Sequence, residues 1–256
     1  MNKSSQKSKV ILGIILFVLG LIGILSILTM EIPLPEEVEL LLKEKFSTLQ
    51  IKFLLLINPI IMLIVAVILG TILHDKVNLR VPIIENAINK ENTDLNLYEL
   101  IKNGIIGGII AGILLVSISY ILYPFLPEEF LVLGEKFKPS LAGRFLYGGF
   151  SEEIIMRFGL MTLIVWLFAK IVKKKTQVIY WLGIFIAAIL FAVGHFPIAF
   201  QAVGNPSPTL LTYILLGNSI GGIVFGWLYW KKGLESAFIA HIITHVILVA
   251  TAPILN

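Results

Sequence analysis

The chain predicts an all-α membrane protein: a bundle of about seven transmembrane helices forming a single integral domain over 1–256. Three observations carry that expectation. Hydrophobic residues make up 57% of the 256, charged residues only 14%, and the mean hydropathy is +0.95, well away from the balance of a soluble domain. Apolar runs long enough to cross a hydrocarbon layer of about 30 Å recur along the chain between shorter polar connections. The basic residues concentrate in every second connection. Cysteine is absent, which excludes disulfides, thiolate metal sites and a cysteine nucleophile. The partner that composition demands is the lipid bilayer, and no motif asks for nucleic acid.

The first span is 10–30, an unbroken apolar run behind Lys3, Lys7 and Lys9. It is longer than a signal-peptide core and lacks a small-residue cleavage site, so it reads as a retained helix. In the mixed segment 31–50, Val38, Leu41, Leu42, Lys45 and Phe46 fit either an amphipathic piece at the interface or an ordinary loop. The second span, 51–73, contains Asn58-Pro59, where a missing amide predicts a kink. A polar connection at 74–102, with room for short helices, leads to a third span at 105–126. Around its start Gly104, Gly108 and Gly112 recur every four residues, a spacing that lets two helix backbones approach closely.

After a second polar connection at 127–140, the fourth helix, 141–170, exceeds what a bilayer needs, so it is tilted or protrudes. The fifth span, 177–200, carries Phe191 and His195 with Pro197 just beyond, and a Gly/Asn/Pro loop follows at 201–208. The sixth, 209–230, is rich in small residues (Gly217, Asn218, Ser219, Gly221, Gly222, Gly226) and suited to tight contact. A turn at Lys231-Lys232-Gly233 leads to the last helix, 236–252, which bears His241 and His245. No internal repeat is apparent.

Placing the N-terminus in the cytoplasm puts Lys3, Lys7, Lys9, Lys76, Arg80, Lys90, Lys102, Lys170, Lys173, Lys174, Lys175, Lys231 and Lys232 on the inner side. The outer side holds only Lys43, Lys45, Lys136 and Lys138, while Lys52, Arg144 and Arg157 lie at or within spans. That asymmetry is the positive-inside pattern, and the expected location is the plasma membrane of a prokaryote.

The fourth helix contains Phe150-Ser151-Glu152-Glu153-Ile154-Ile155-Met156-Arg157. Ionised groups at that depth cost at least about 2.5–3.5 kcal/mol each, so they face the bundle interior and meet partners. Glu153 and Arg157 are four apart with the acid first, the favourable order for an ion pair. Glu152, about 100° further round an α-helix, is left as the working carboxylate. The plainer alternative is a charge cluster that only joins helices. Three of the four histidines, His195, His241 and His245, also fall in spans, and each must be satisfied in a dry medium.

Glu152-Glu153-x-x-x-Arg157, then Phe191-x-x-x-His195, then His241 in the context Gly-Leu-Glu-Ser-Ala-Phe-Ile-Ala-His resemble the ordered motifs of the CAAX-protease and bacteriocin-processing (Abi) family of intramembrane proteases. The resemblance covers about 143–252. It implies an intramembrane endopeptidase, metal-free in the favoured reading, that hydrolyses a peptide bond near the end of a lipidated or membrane-inserted peptide. Carried over position by position, Glu152 and His195 would hold and deprotonate a water, and His241 with His245 would stabilise the oxyanion. Glu153 and Arg157 would be the supporting pair, with Phe191 packed beside the site. A dry cavity favours such chemistry, because donors aimed at a developing oxyanion gain strength there.

His245 stands where the family has asparagine or aspartate, and unlike an amide it donates from a given ring nitrogen only in the right tautomer. The same residue creates His-x-x-x-His, the spacing of zinc proteases, so His195, His241 and His245 with Glu152 form an alternative zinc set. Two other classes compete: a proton-coupled transporter, which lacks the paired broken helices of matching halves, and a catalytically silent scaffold or immunity protein. Axial estimates set a geometric requirement for the enzyme reading. Glu152 and His195 fall in the outer half, whereas His241 comes roughly 8 Å after the inner turn, so the helices must tilt or break to bring them together.

Overall fold

A computed structural model describes residues 3–89 and 95–255; Lys90, one of the basic residues of the orientation pattern, lies outside the described residues, as do Met1, Asn2 and Asn256. Among the described residues seven helices are long and apolar enough to cross a membrane. The chain is an integral, multi-pass, all-α membrane protein.

Helix α1 (Lys3–Leu25) runs into a 3-10 turn at Ser26–Thr29. The mixed segment after it forms α2 (Glu36–Lys45), which has no buried residue and leaves Val38, Leu40 and Leu41 exposed. It is therefore a helix with unpartnered apolar residues rather than a loop. The second span is two helices, α3 (Thr48–Leu55) and α4 (Ile57–Leu73). The break falls at Leu56 because Pro59 lacks the amide that would bond the Leu55 carbonyl one turn earlier. Helix α5 (Pro82–Asn89) lies in the connection. Helix α6 (Leu97–Leu122) starts well before position 105, capped by the Asn96 side chain accepting from the Glu99 amide at 3.0 Å.

Helix α7 (Glu129–Lys136) precedes α8 (Gly143–Val172), the fourth span. The fifth span is not one helix. It divides into α9 (Gln177–Val193) and α10 (Phe196–Val203) with Gly194 and His195 between them, since Pro197 cannot donate to the Val193 carbonyl. Helices α11 (Pro208–Lys232) and α12 (Leu234–Leu255) complete the bundle.

The glycine stripe of α6 seats α12: a Cβ on Gly108 would stand 2.6 Å from the Ala240 carbonyl oxygen, and one on Gly104 3.0 Å from that of Ser236. The missing side chains on α6 thus let the α12 backbone come close and seat Ile239, Ile243 and Ile247 on the glycines. On the other flank, α1 meets α8, where Ser151 Oγ donates to the Gly20 carbonyl at 2.8 Å. Gly20 is roughly 15 Å along the helix both from Lys9, paired with Asp75, and from Met30, against Gly143. Ser151, and the carboxylates beside it, therefore lie near mid-depth, which meets the axial requirement set by the sequence.

At the end of the bundle that carries Lys9 and Asp75, Glu235 Oε1 accepts from the Ile83 and Ile84 amides at 2.9 and 3.1 Å, fastening the start of α5 to the start of α12. The Lys9–Asp75 pair, 2.6 Å apart, closes the same end. Burial pushes the Asp75 carboxyl up, but the hydrogen bond and charge of Lys9 outweigh it and hold it below the usual range. At the opposite end α7, α10 and α11 share a small apolar cluster around Ala199, Leu210 and Ile214.

Candidate active site

Helix α8 is wound as a π-helix over Gly143–Glu152 and again over Ile154–Met161, returning to α geometry at Thr162–Val172. The sequence expectation of an ordinary α-helix is corrected on this point. A π turn holds about 4.4 residues, so successive side chains are about 82° apart rather than 100°. Glu152 and Glu153 still diverge. Arg157, four residues on, returns to the side of Glu153, and Gly148, four residues back, returns to the side of Glu152. π geometry is rare and, where it interrupts an α-helix, is frequently found at functional sites.

Glu153 is fully buried and joins two partners. Its Oε2 lies 3.2 Å from Arg157 Nε, and its Oε1 accepts from His241 Nδ1 at 2.8 Å. Arg157 is itself only 1% exposed. Its guanidinium carbon stands 4.8 Å from the Phe191 ring centre and 5.6 Å from that of Phe225. Aromatic faces thus hold the part of the charge that Glu153 does not reach. The sequence assigned Glu153 to Arg157 alone; the bond to His241 spans two helices and leaves no local pattern to read.

Glu152 faces the other way. Its Oε1 is 3.9 Å from His195 Nε2 and its Oε2 is 3.9 Å from His241 Nε2. These separations are too long for direct hydrogen bonds and fit a bridging water. The orientation of both imidazoles is set from behind. His195 lies at the α9–α10 break with Nδ1 2.8 Å from the Phe191 carbonyl oxygen, which can only accept. His241 Nδ1 is likewise held by a carboxylate. Each neutral ring is thereby the Nδ1–H tautomer, and its Nε2 lone pair points at the gap in front of Glu152.

Phe191, expected beside the site, packs edge-on to His195 at 4.8 Å between ring centres. His241 is sandwiched between Phe225 at 4.6 Å and His245 at 4.9 Å, both nearly parallel to it. Gly148 completes this corner: a Cβ there would lie 2.9 Å from His245 Nε2 and 3.3 Å from His241 Nε2. The two nitrogens therefore share one small space kept open by the missing side chain. Sequence reasoning missed Gly148 and Phe225. The Gly148-Gly149 pair, two residues upstream of the carboxylates, was the available signal for the first, while a lone phenylalanine in an apolar span carries none.

Exposure is graded across the site. His195 is 33% exposed and Glu152 17%, whereas on the far side Arg157, Phe225 and Tyr229 are 1%, 2% and 1%. The more exposed edge is the one at the α9–α10 break, and the buried side is the one toward the Lys231-Lys232 turn that ends α11. The alternative zinc set of Glu152, His195, His241 and His245 does not fit an ion as these side chains stand. Among the described residues no three such groups gather as ligands. The 3.9 Å gaps also exceed the about 3.3 Å between ligands of a tetrahedral ion with 2.0–2.1 Å bonds.

Residues 135–247 match the family model described as Rce1-like, Type II CAAX prenyl endopeptidase Rce1-like, the family whose motifs the sequence resembles. No curated protein and no solved structure matches the chain.

Proposed function

We propose, from the match of residues 135–247 to the Rce1-like family, that this chain is an intramembrane endopeptidase cutting near the end of a lipidated or membrane-inserted peptide with a water activated by Glu152 and His195. The observation that carries the reading is the pair of 3.9 Å gaps between the Glu152 carboxylate and the Nε2 atoms of His195 and His241.

A water in the first gap donates one hydrogen to Glu152 and is oriented by the His195 lone pair. Its oxygen attacks the scissile carbonyl, Glu152 takes the proton, and the carbonyl oxygen becomes an oxyanion in the space beside Gly148. To donate there from Nε2, His241 must carry protons on both ring nitrogens. Glu153 on Nδ1 is the group that stabilises this form. His245, stacked on that ring, serves best as the neutral second donor. Collapse of the intermediate breaks the C–N bond, and Glu152 returns the proton to the leaving amine, giving a carboxylic acid and a free amine.

The basic-residue pattern supports a cytoplasmic N-terminus, so the open edge of the site would face the opposite compartment. The test is cleavage of a farnesylated CAAX-type peptide by purified protein in liposomes. Wild type should cut it, Glu152→Gln should not, and chelator should leave wild type active. Activity that survives Glu152→Gln overturns the mechanism. Activity lost to chelator and restored by zinc moves the chemistry to a metal that rearranged side chains would have to hold.

A further inference from the structure

Arg144 is a cation the mechanism above does not use. It stands on the π-wound part of α8, half-buried in a membrane span. Its backbone amide bonds the Ser140 carbonyl at 2.9 Å. Its guanidinium has no hydrogen-bond or ion-pair partner among the described residues, and no acidic group offsets its burial. The neighbour it acts on is His245, at the oxyanion corner. Buried Arg157 meets Glu153 through Nε and lies over two aromatic faces, though its terminal nitrogens have no hydrogen-bond partner among the described residues; Arg144 has neither a carboxylate nor an aromatic face. A half-buried, permanently charged group without a partner in the first turn of the span is a ready seat for an anion.

We propose that the Arg144 guanidinium receives the C-terminal carboxylate of the substrate peptide, so that the enzyme measures its cut from the chain end. Placement favours a substrate anion over a lipid headgroup. Arg144, Gly148 and Glu152 follow one another at four-residue intervals on one side of α8, and Arg144 acts on His245 rather than standing alone on the lipid face. Length agrees. From Arg144 to Glu152 the helix rises at most about 12 Å, less with π winding. An extended peptide covers about 3.3–3.6 Å per residue, so about three residues separate an anchored terminus from the attacked carbonyl. The bidentate fork of arginine matches a carboxylate.

This inference rests on the peptidase reading, and the experiment separates the two. Two farnesylated CAAX-type peptides, identical except for a free C-terminal carboxylate or a C-terminal amide, are presented in zwitterionic liposomes. Binding is measured on Glu152→Gln protein with and without Arg144→Gln or Arg144→Lys, and cleavage on protein with native Glu152. The carboxylate peptide should bind on the order of tenfold more tightly than the amide. Arg144→Gln should erase that preference while binding the amide peptide as before, which also reports that the variant is folded, and Arg144→Lys should retain part of it. Equal binding of the two peptides, or a preference that persists in Arg144→Gln, overturns the proposal. Binding indifferent to amidation, together with loss of retained anionic lipid in Arg144→Gln, assigns the arginine to a headgroup phosphate and overturns it as well. A carboxylate preference dependent on Arg144 without cleavage by wild type sinks the peptidase reading and leaves the anchor standing.

Discussion

At the scale of single residues, Glu153 links stability to chemistry. It neutralises Arg157 and, through 2.8 Å to Nδ1, fixes the ring of His241. Glu153→Gln should therefore destabilise the protein by about 3–5 kcal/mol, the usual consequence of leaving a buried charge unpaired. It should also lower kcat by on the order of 10²–10³ at temperatures where the variant is still folded, because Nε2 of His241 loses its support as a donor. Melting curves and cleavage rates read the two effects separately, and a variant that is unstable but fully active would show that the His241 bond is only structural. Gly148 makes a cleaner case. Gly148→Ala puts a methyl 2.9 Å from His245 Nε2, filling the space assigned to the oxyanion, so cleavage should fall at least tenfold through kcat with little change in substrate binding. His245→Asn should keep activity, since an amide always presents a donor, whereas His245→Ala should lose it. Glu152, His195 and His241, which the structure brings within 3.9 Å, stood out as titratable groups in apolar spans, and the family resemblance supplied their order. Gly148, Phe225 and the second bond of Glu153 were not legible, because their meaning comes from neighbours distant in sequence.

Among the helices, length and hydropathy revealed the spans, and local backbone chemistry decided how each deviates from a plain rod. Pro59 and Pro197 were both visible in the sequence, and each interrupts the hydrogen-bond ladder one turn earlier than its own position, at Leu56 and at Gly194-His195. The second break is what aims His195. Pro197→Ala restores an amide that can bond the Val193 carbonyl and lets α9 run on into α10. The expected result is a protein of equal or greater thermal stability with cleavage reduced at least tenfold, because continuing the helix turns His195 Nε2 away from Glu152. Unchanged cleavage in a folded Pro197→Ala protein would mean that the break is incidental. The π winding of α8 had no comparable signal. Gly143, Gly148, Gly149 and Gly159 weaken its preference for ordinary α geometry, but the close seats against α1 and α4 at Gly23 and Gly70 are tertiary facts.

For the molecule as a whole, the alternating basic connections and the graded exposure of the site make a joint statement about access. The buried side of the candidate site is closed by Arg157, Phe225 and Tyr229, and its open side is edged by His195. If the lysine-rich connections are cytoplasmic, substrate reaches Glu152 from the outer compartment or the outer leaflet. The absence of native cysteine makes this directly measurable. Lys138 and Lys174 are exposed residues in connections at opposite ends of α8. In intact cells a membrane-impermeant maleimide should label Lys138→Cys at once and Lys174→Cys only after permeabilisation. The reverse pattern would turn the open edge to the cytoplasm. The same site would then serve a cytosolic substrate without any change in its geometry, so labelling decides the compartment of the substrate independently of the chemistry.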